Sequence, residues 1–204
     1  MKYISKEQRT MVLALLVVAV LCAIILGLTD QLTRDPIAEA QRQSMMKALM
    51  QVLPEHANDP LSDQKVVAGK SYYIARNANG SIVAFAWEEV APDGYSGSIR
   101  LLMGVDATGQ TIGIRVTDHR ETPGLGDGIV HNQDWLATFG HQSLDSRHWA
   151  VKKDGGDFDQ FTGATISPRA IVKAVHRGLM QFAHDQVVLL QGATDQKIEP
   201  KLKK

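Results

Sequence analysis

Cysteine is nearly missing from this sequence: Cys22 is its single thiol. One cysteine cannot close a disulfide within the chain, and it cannot build a metal site from several thiolates. A bias of charge is missing too. Lys and Arg together number 22 and Asp and Glu 22, so the formal net charge is zero. A nucleic-acid binder carries a concentrated basic stripe, and none is present. Lys201, Lys203 and Lys204 form only a short basic tail, read as solvated. Internal repeats and low-complexity tracts are also absent, and two domains are not needed.

What the chain does have is one long apolar run. Met11 to Leu28, MVLALLVVAVLCAIILGL, holds 18 residues without a charge or a strong polar group. With Thr10 and Thr29 at its ends it reaches the roughly 20 residues that cross a hydrocarbon core. Lys2, Lys6 and Arg9 precede it, and Asp30, Arg34 and Asp35 follow. The positive-inside rule then keeps the N-terminus in the cytoplasm and exports the rest. A cleaved signal peptide is the rival reading. Its apolar core would be shorter and would end on small residues, whereas Gly27-Leu28-Thr29 makes a poor cleavage site. Cys22 lacks the small residues before it that a lipoprotein site needs, so it reads as an ordinary apolar residue facing lipid or helix.

Beyond the run, Asp35-Pro36 looks like a helix start with Asp35 as N-cap. Ile37, Ala40, Met45, Ala48, Leu49 and Val52 recur at helical spacing up to Pro54. The methionines Met45, Met46 and Met50 read as packing residues. Glu55 to Lys65 is polar and reads as a loop. Ser71 to Val90 predicts a hairpin turning at Asn77-Ala78-Asn79-Gly80, with Ile82 to Trp87 as its second strand. Ser98 to Val105 and Thr111 to Thr117 predict another pair around Asp106-Ala107-Thr108-Gly109. Asn132 to Gly140 reads as a short helix and Trp149 to Lys152 as a strand. A helix from Arg169 to Leu190 packs Ile171, Ala174, Val175, Gly178 and Phe182 on the sheet. Gly178 costs up to about 1 kcal/mol there relative to Ala unless a close neighbour needs the space. From Gln191 onward the chain reads as frayed.

The fold class that follows is α+β: a largely antiparallel sheet with flanking helices, preceded by a single N-terminal transmembrane helix. The boundaries read as a cytoplasmic N-terminus over 1–9, a transmembrane helix over 10–29, a linker helix and loop over 30–65, a periplasmic domain over 66–190 and a polar tail over 191–204.

Asp159 to Pro168, DQFTGATISP, is the stretch with chemistry in it. Gly163 and Ala164 are small enough to let a ligand approach the backbone. Ser167 suits an N-cap and Pro168 the first helical position. Thr165 thus brings a hydroxyl to a helix N-terminus, where free N–H groups and the dipole favour a phosphate. Two readings stand at this point, a bare capped helix and a phosphoester site. The Gly-rich loop Asp118 to Asp127, DHRETPGLGD, is suited to a flat ligand. His119 reads as a polar residue at a strand end.

Taken together, PDGYSGSI (Pro92 to Ile99), HRETPGLGD (His119 to Asp127) and DQFTGATISP resemble the FMN-binding domain with covalent flavin. The chain is most similar to the G subunits of Rnf-type (Rsx) ion-translocating electron transport complexes. The C subunit of the sodium-translocating NADH:quinone reductase is a more distant relative. The resemblance implies FMN as cofactor, joined by a phosphoester to Thr165. It implies Asp159 as part of the sequence read by the FAD:protein FMN transferase. Thr162, Gly163 and Ala164 shape the loop between, while Glu121, Thr122, Gly124, Leu125 and Tyr95 are candidate flavin contacts. The implied function is a membrane-anchored electron carrier within a ferredoxin/NAD-linked complex, without stand-alone catalysis and without a metal. The implied partners are the other subunits, the transferase and the inner membrane. Ser167 stands where many relatives carry threonine, a conservative change.

Two other classes compete. One is a non-redox tethering subunit with an unmodified TGAT loop. The other is a hydrolase with Thr165 as nucleophile, which needs a base nearby; His119, His131 and His176 cannot be placed beside it from sequence, and His176 lies about three turns along the helix.

Overall fold

The computed structural model describes residues 6–195, in two units divided between Met45 and Met46. Lys2 and the basic tail at 201–204 lie outside the described residues. Helix α1, Lys6–Val52, begins in the first unit and ends in the second. Within it, the 18 apolar residues expose large side chains on every side, and none of that window is buried. Apolar surface of this extent is stable against hydrocarbon rather than water, so the helix is suited to single-pass anchoring. Cys22 is exposed along with it.

The expected break at Asp35-Pro36 does not occur: Pro36 lies inside α1. Proline removes one helical N–H, which frees only the carbonyl four residues earlier, that of Leu32. Both residues are exposed, where water can meet that carbonyl.

The second unit is built on a five-stranded antiparallel meander in the order β1-β2-β3-β4-β5. The strands are β1 (Gln64–Val67), β2 (Lys70–Arg76), β3 (Ile82–Ala91), β4 (Ile99–Asp106) and β5 (Thr111–Asp118). The β2–β3 turn closes as the sequence predicts. Asn77 Oδ1 accepts from the N–H groups of Asn79 and Ser81, and Gly80 N–H reaches Asn77 C=O. Asp106 plays the same part between β4 and β5, accepting from Thr108 and Gln110. Strand β1 is new, and its first two residues lie in the expected loop. Its turn uses Ala68 and Gly69, both at positive φ. A two-residue turn of that hand is usually signalled by Asn-Gly, and this one is not.

Pairing register places Ile74, Phe85 and Val105 on one face, with Trp87 opposite Met103 on the same side. Helix α4, Ile166–Asp195, covers that face with the five residues expected. Phe182 stacks flat on Trp87, centroids 5.5 Å apart. A Cβ on Gly178 would come within 2.7 Å of Met103 Sδ, so the glycine makes the room its helical cost implies. The other face is also buried. Ala75, Ala84, Ala86 and Leu102 lie there, and Leu49, Val52 and Leu53 at the end of α1 are buried too. Gly104 is the contact point, since a Cβ on it would lie 1.7 Å from Val52 O.

Three further differences concern the segments around the loops. The expected helix over 132–140 is shorter: α2 (Gly128–His131) lies wholly before it, and only α3 (Gln133–Ala137) forms within it. Asn132 ends the first and caps the second, its side chain accepting from Trp135 N–H. Trp149 to Lys152 is not a strand: Val151 makes one isolated bridge to Phe158 and a 3₁₀ turn follows at Lys152–Asp154. Gly156 sits too close to Ala150 for any side chain, 2.0 Å from its carbonyl oxygen to an added Cβ, so the segment folds on itself instead of joining the sheet. Finally, α4 continues past Leu190 to Asp195.

Candidate functional site

Helix α4 starts at Ile166, not at Pro168, and Thr165 is the residue just before it. The Thr165 carbonyl accepts the first helical bond, from Arg169 N–H at 3.2 Å. Ser167 is therefore not the N-cap. Pro168 falls third in the helix and is still within the first turn, where a missing N–H costs nothing. The change moves the Thr165 hydroxyl onto the helix mouth itself. Among the described residues that hydroxyl has no hydrogen-bond partner, and Thr165 is half-buried.

Ahead of Thr165 the chain makes a four-residue turn, with Ala164 N–H on Phe161 C=O. Gly163 occupies its third position at φ +78°, a conformation that favours glycine. The turn is fixed from behind. Trp135 Nε1–H donates to Asp159 C=O at 2.8 Å, and the Trp135 and Phe161 rings meet edge to face. Gly128 leaves room for the Phe161 ring, which an added Cβ would meet at 2.8 Å.

Ser167 instead sends its hydroxyl to Glu121 Oε2, at 2.5 Å. The other oxygen, Glu121 Oε1, accepts from Ser96 N–H at 3.2 Å. One carboxylate thus ties the Pro92–Ser98 loop, the His119–Asp127 loop and the first turn of α4. Glycines shape the space around it. A Cβ on Gly94 would lie 2.9 Å from Oε1, and one on Gly126 2.6 Å from Oε2. His119 supports the same loop by accepting Glu121 N–H on Nδ1.

These three segments enclose a cleft of about 150 Å³ lined by Tyr95, Glu121, Thr122, Leu125, Gly126 and residues 163–167. Ligand clefts commonly begin at ~300 Å³, so this one is large enough for only part of a small-molecule ligand. Tyr95, Leu125 and Ile166 form its rim and are 70%, 55% and 41% exposed. The cleft thus sets apolar side chains at its rim above the Thr165 hydroxyl and the N–H groups of Ile166 and Ser167, which have no hydrogen-bond partner among the described residues; such a helix mouth favours an anion.

Of the expected site residues, the cleft brings together Tyr95, Glu121, Thr122, Leu125, Gly163, Ala164 and Thr165. Gly124 is exposed outside the cleft, at φ +78° with its N–H on Asp127 Oδ1. Thr162 is exposed outside the cleft. Asp159 is outside it too, its carboxylate paired with Lys152 at 2.7 Å. Gly126, Ile166 and Ser167 line the cleft without having been singled out as ligand contacts. Glu121 and Ser167 are 46 positions apart, and no local pattern joins them. None of the three candidate bases hydrogen-bonds to Thr165: His119 is engaged as above, His131 faces Asp127 and His176 stacks on Trp149.

Comparison with known proteins names a family for the chain. The chain carries an FMN-binding domain, the family that residues 94–180 match. Residues 1–52 match the RnfG N-terminal region. The G subunit of the ion-translocating oxidoreductase complex of Haemophilus influenzae (strain PittEE) is 42% identical over 192 residues, 88% of this chain and 92% of that protein. The G subunit of the same complex from Vibrio vulnificus (strain YJ016) is 44% identical over 183 residues, 82% of this chain and 86% of that one. The chain therefore belongs to the family of G subunits of ion-translocating oxidoreductase complexes. The crystal structure of Shewanella oneidensis NqrC superposes with a TM-score of 0.48 at 18% identity, over 69% of this chain and 74% of that chain.

Proposed function

We propose that this chain is a membrane-anchored electron carrier whose FMN is joined to Thr165 by a phosphoester. The observation that carries the reading is the Thr165 hydroxyl itself. It has no hydrogen-bond partner among the described residues and lines a cleft at the N-terminus of α4. The phosphate would lie against the N–H groups of Ile166 and Ser167, where helix-end donors favour an anion. Tyr95, Leu125 and Ile166 would hold the apolar ring, and Glu121 and Thr122 its polar side. When bound, the flavin supplies electron transfer; the chain supplies position and electrostatics.

Asp159 takes a different part in this reading. Lying outside the cleft, it serves the FAD:protein FMN transferase as an address and does not touch the cofactor. Thr162 and Gly124 act through the loops they shape. The domain stands on the periplasmic side of the inner membrane, where a covalent bond prevents loss of the flavin. Its electron donors and acceptors are other subunits of a ferredoxin/NAD-linked complex.

Denaturing electrophoresis of protein made together with the transferase tests the reading. A flavin-fluorescent band is expected to survive denaturation in the wild type and to vanish in Thr165→Ala. Intact mass should show an adduct of FMN less one water. A dark wild-type band would reject the covalent link and favour the tethering role.

A further inference from the structure

Glu121 is more than a wall of the cleft. Only 4% of it is exposed, yet among the described residues it forms no ion pair. Its two partners are neutral donors, the Ser96 N–H and the Ser167 hydroxyl. Burying a carboxylate is costly unless it is satisfied, and here dipoles satisfy it without cancelling its charge. The closeness of Gly94 and Gly126 to its two oxygens shows that the backbone is built around this group. An anion so held projects its field into the cleft, where the low dielectric makes charge interactions stronger than in water.

We infer that Glu121 sets the reduction potential of the redox group carried in this cleft, by holding a fixed negative charge where an electron arrives. The inference rests on the flavin reading above. One electron passes from an external one-electron donor into the ring; no protein bond forms or breaks, and Glu121 is neither oxidised nor reduced. The added negative charge is repelled by the carboxylate, which holds the potential down. The Ser167 hydroxyl shares part of that charge and moderates the effect.

The experiment is a potentiometric titration of the full-length flavinylated protein in detergent, followed by flavin absorbance. Glu121→Gln keeps the shape and can still accept from Ser96 and donate to Ser167 Oγ. Its midpoint is expected to lie above the wild type, at equal flavin loading. Ser167→Ala removes the donor that shares the charge, and its midpoint is expected to shift the opposite way, downward. Glu121→Asp retains the charge and should stay closer to wild type than the glutamine variant. An unshifted midpoint in loaded Glu121→Gln overturns the inference and leaves the flavin reading standing. So does an unshifted or raised midpoint in Ser167→Ala, which keeps the test decisive if the glutamine variant does not fold. A wild type that carries no flavin overturns both.

Discussion

At the scale of single residues, two small groups of atoms hold the most consequence. One is the buried bond from Tyr72 O–H to Asp185 Oδ2, at 2.8 Å. Burial works to raise the Asp185 pKa, but hydrogen bonds from Gln181, His184 and Tyr72 outweigh it and hold the carboxyl below its ordinary value. Burial and the same carboxylate push the Tyr72 phenol far up. For Asp185, a depressed folded pKa means stability that is present above the unfolded value near ~4 and is lost as pH falls through the folded one. Tyr72→Phe should cost about 1.5–3 kcal/mol near neutral pH, the range for a bond to a charged group. It should also reduce the part of stability lost on acidification. Urea melts of both proteins from pH 6 down to pH 3 would measure each effect. The second group is Gly126 against Glu121 and Ser167. Gly126→Ala puts a Cβ 2.6 Å from Oε2, and overpacking of this kind costs about 1–3 kcal/mol. Thermal denaturation should show that loss, with flavin loading lowered alongside; a melting temperature equal to wild type would refute the account of the loop.

At the scale of elements, the end of α1 is a structural part of the sheet domain. Leu49 and Val52 are fully buried there. Leu49→Ala should cost about 2–5 kcal/mol, as large-to-small changes in cores do. Gly104→Ala should be worse, because its Cβ meets backbone at Val52 and not the end of a flexible side chain. Chemical denaturation of the domain would rank the two. The loop before α4 is the other element to probe. Trp135→Phe keeps the ring packing on Phe161 and removes only the N–H to Asp159 C=O. A loss of about 0.5–1.5 kcal/mol is expected. Amide hydrogen exchange should quicken over residues 159–164 and stay unchanged in β3 and β4.

At the scale of the whole molecule, the two units present different surfaces. The first exposes its apolar run, whereas the second has two buried faces around one sheet. A chain beginning at Met46 keeps Leu49, Val52 and Leu53 and should fold and remain in solution without detergent. A chain beginning at Pro54 lacks Leu49, Val52 and Leu53, uncovers the sheet face at Gly104, and should aggregate, since exposed apolar sheet faces associate. Membrane fractionation and size-exclusion chromatography of both, beside the full chain, would check this. The full chain is expected in the membrane fraction.

By itself the sequence determined whatever depends on neighbours along the chain. The apolar run, the meander with its Asn and Asp turns, and the inner stripe of α4 are local patterns of length and period, and each was legible. The place of Thr165 just ahead of the last helix was nearly legible as well, off by the two residues by which α4 starts early. Boundaries that rest on tertiary contacts were not. Pro36 broke no helix, since water can meet the carbonyl it frees, and Ser167 left the N-cap to Thr165 because Glu121 took its hydroxyl. Asp159 and Thr162 stand beside Thr165 in sequence but outside its cleft, whereas Glu121 lies 46 positions from Ser167 and within hydrogen-bond reach of it. Only the tertiary structure decided that three loops would close around one buried carboxylate. The physical reason is that burying such a charge requires donors on separate segments, and nothing in local sequence says which segments will supply them.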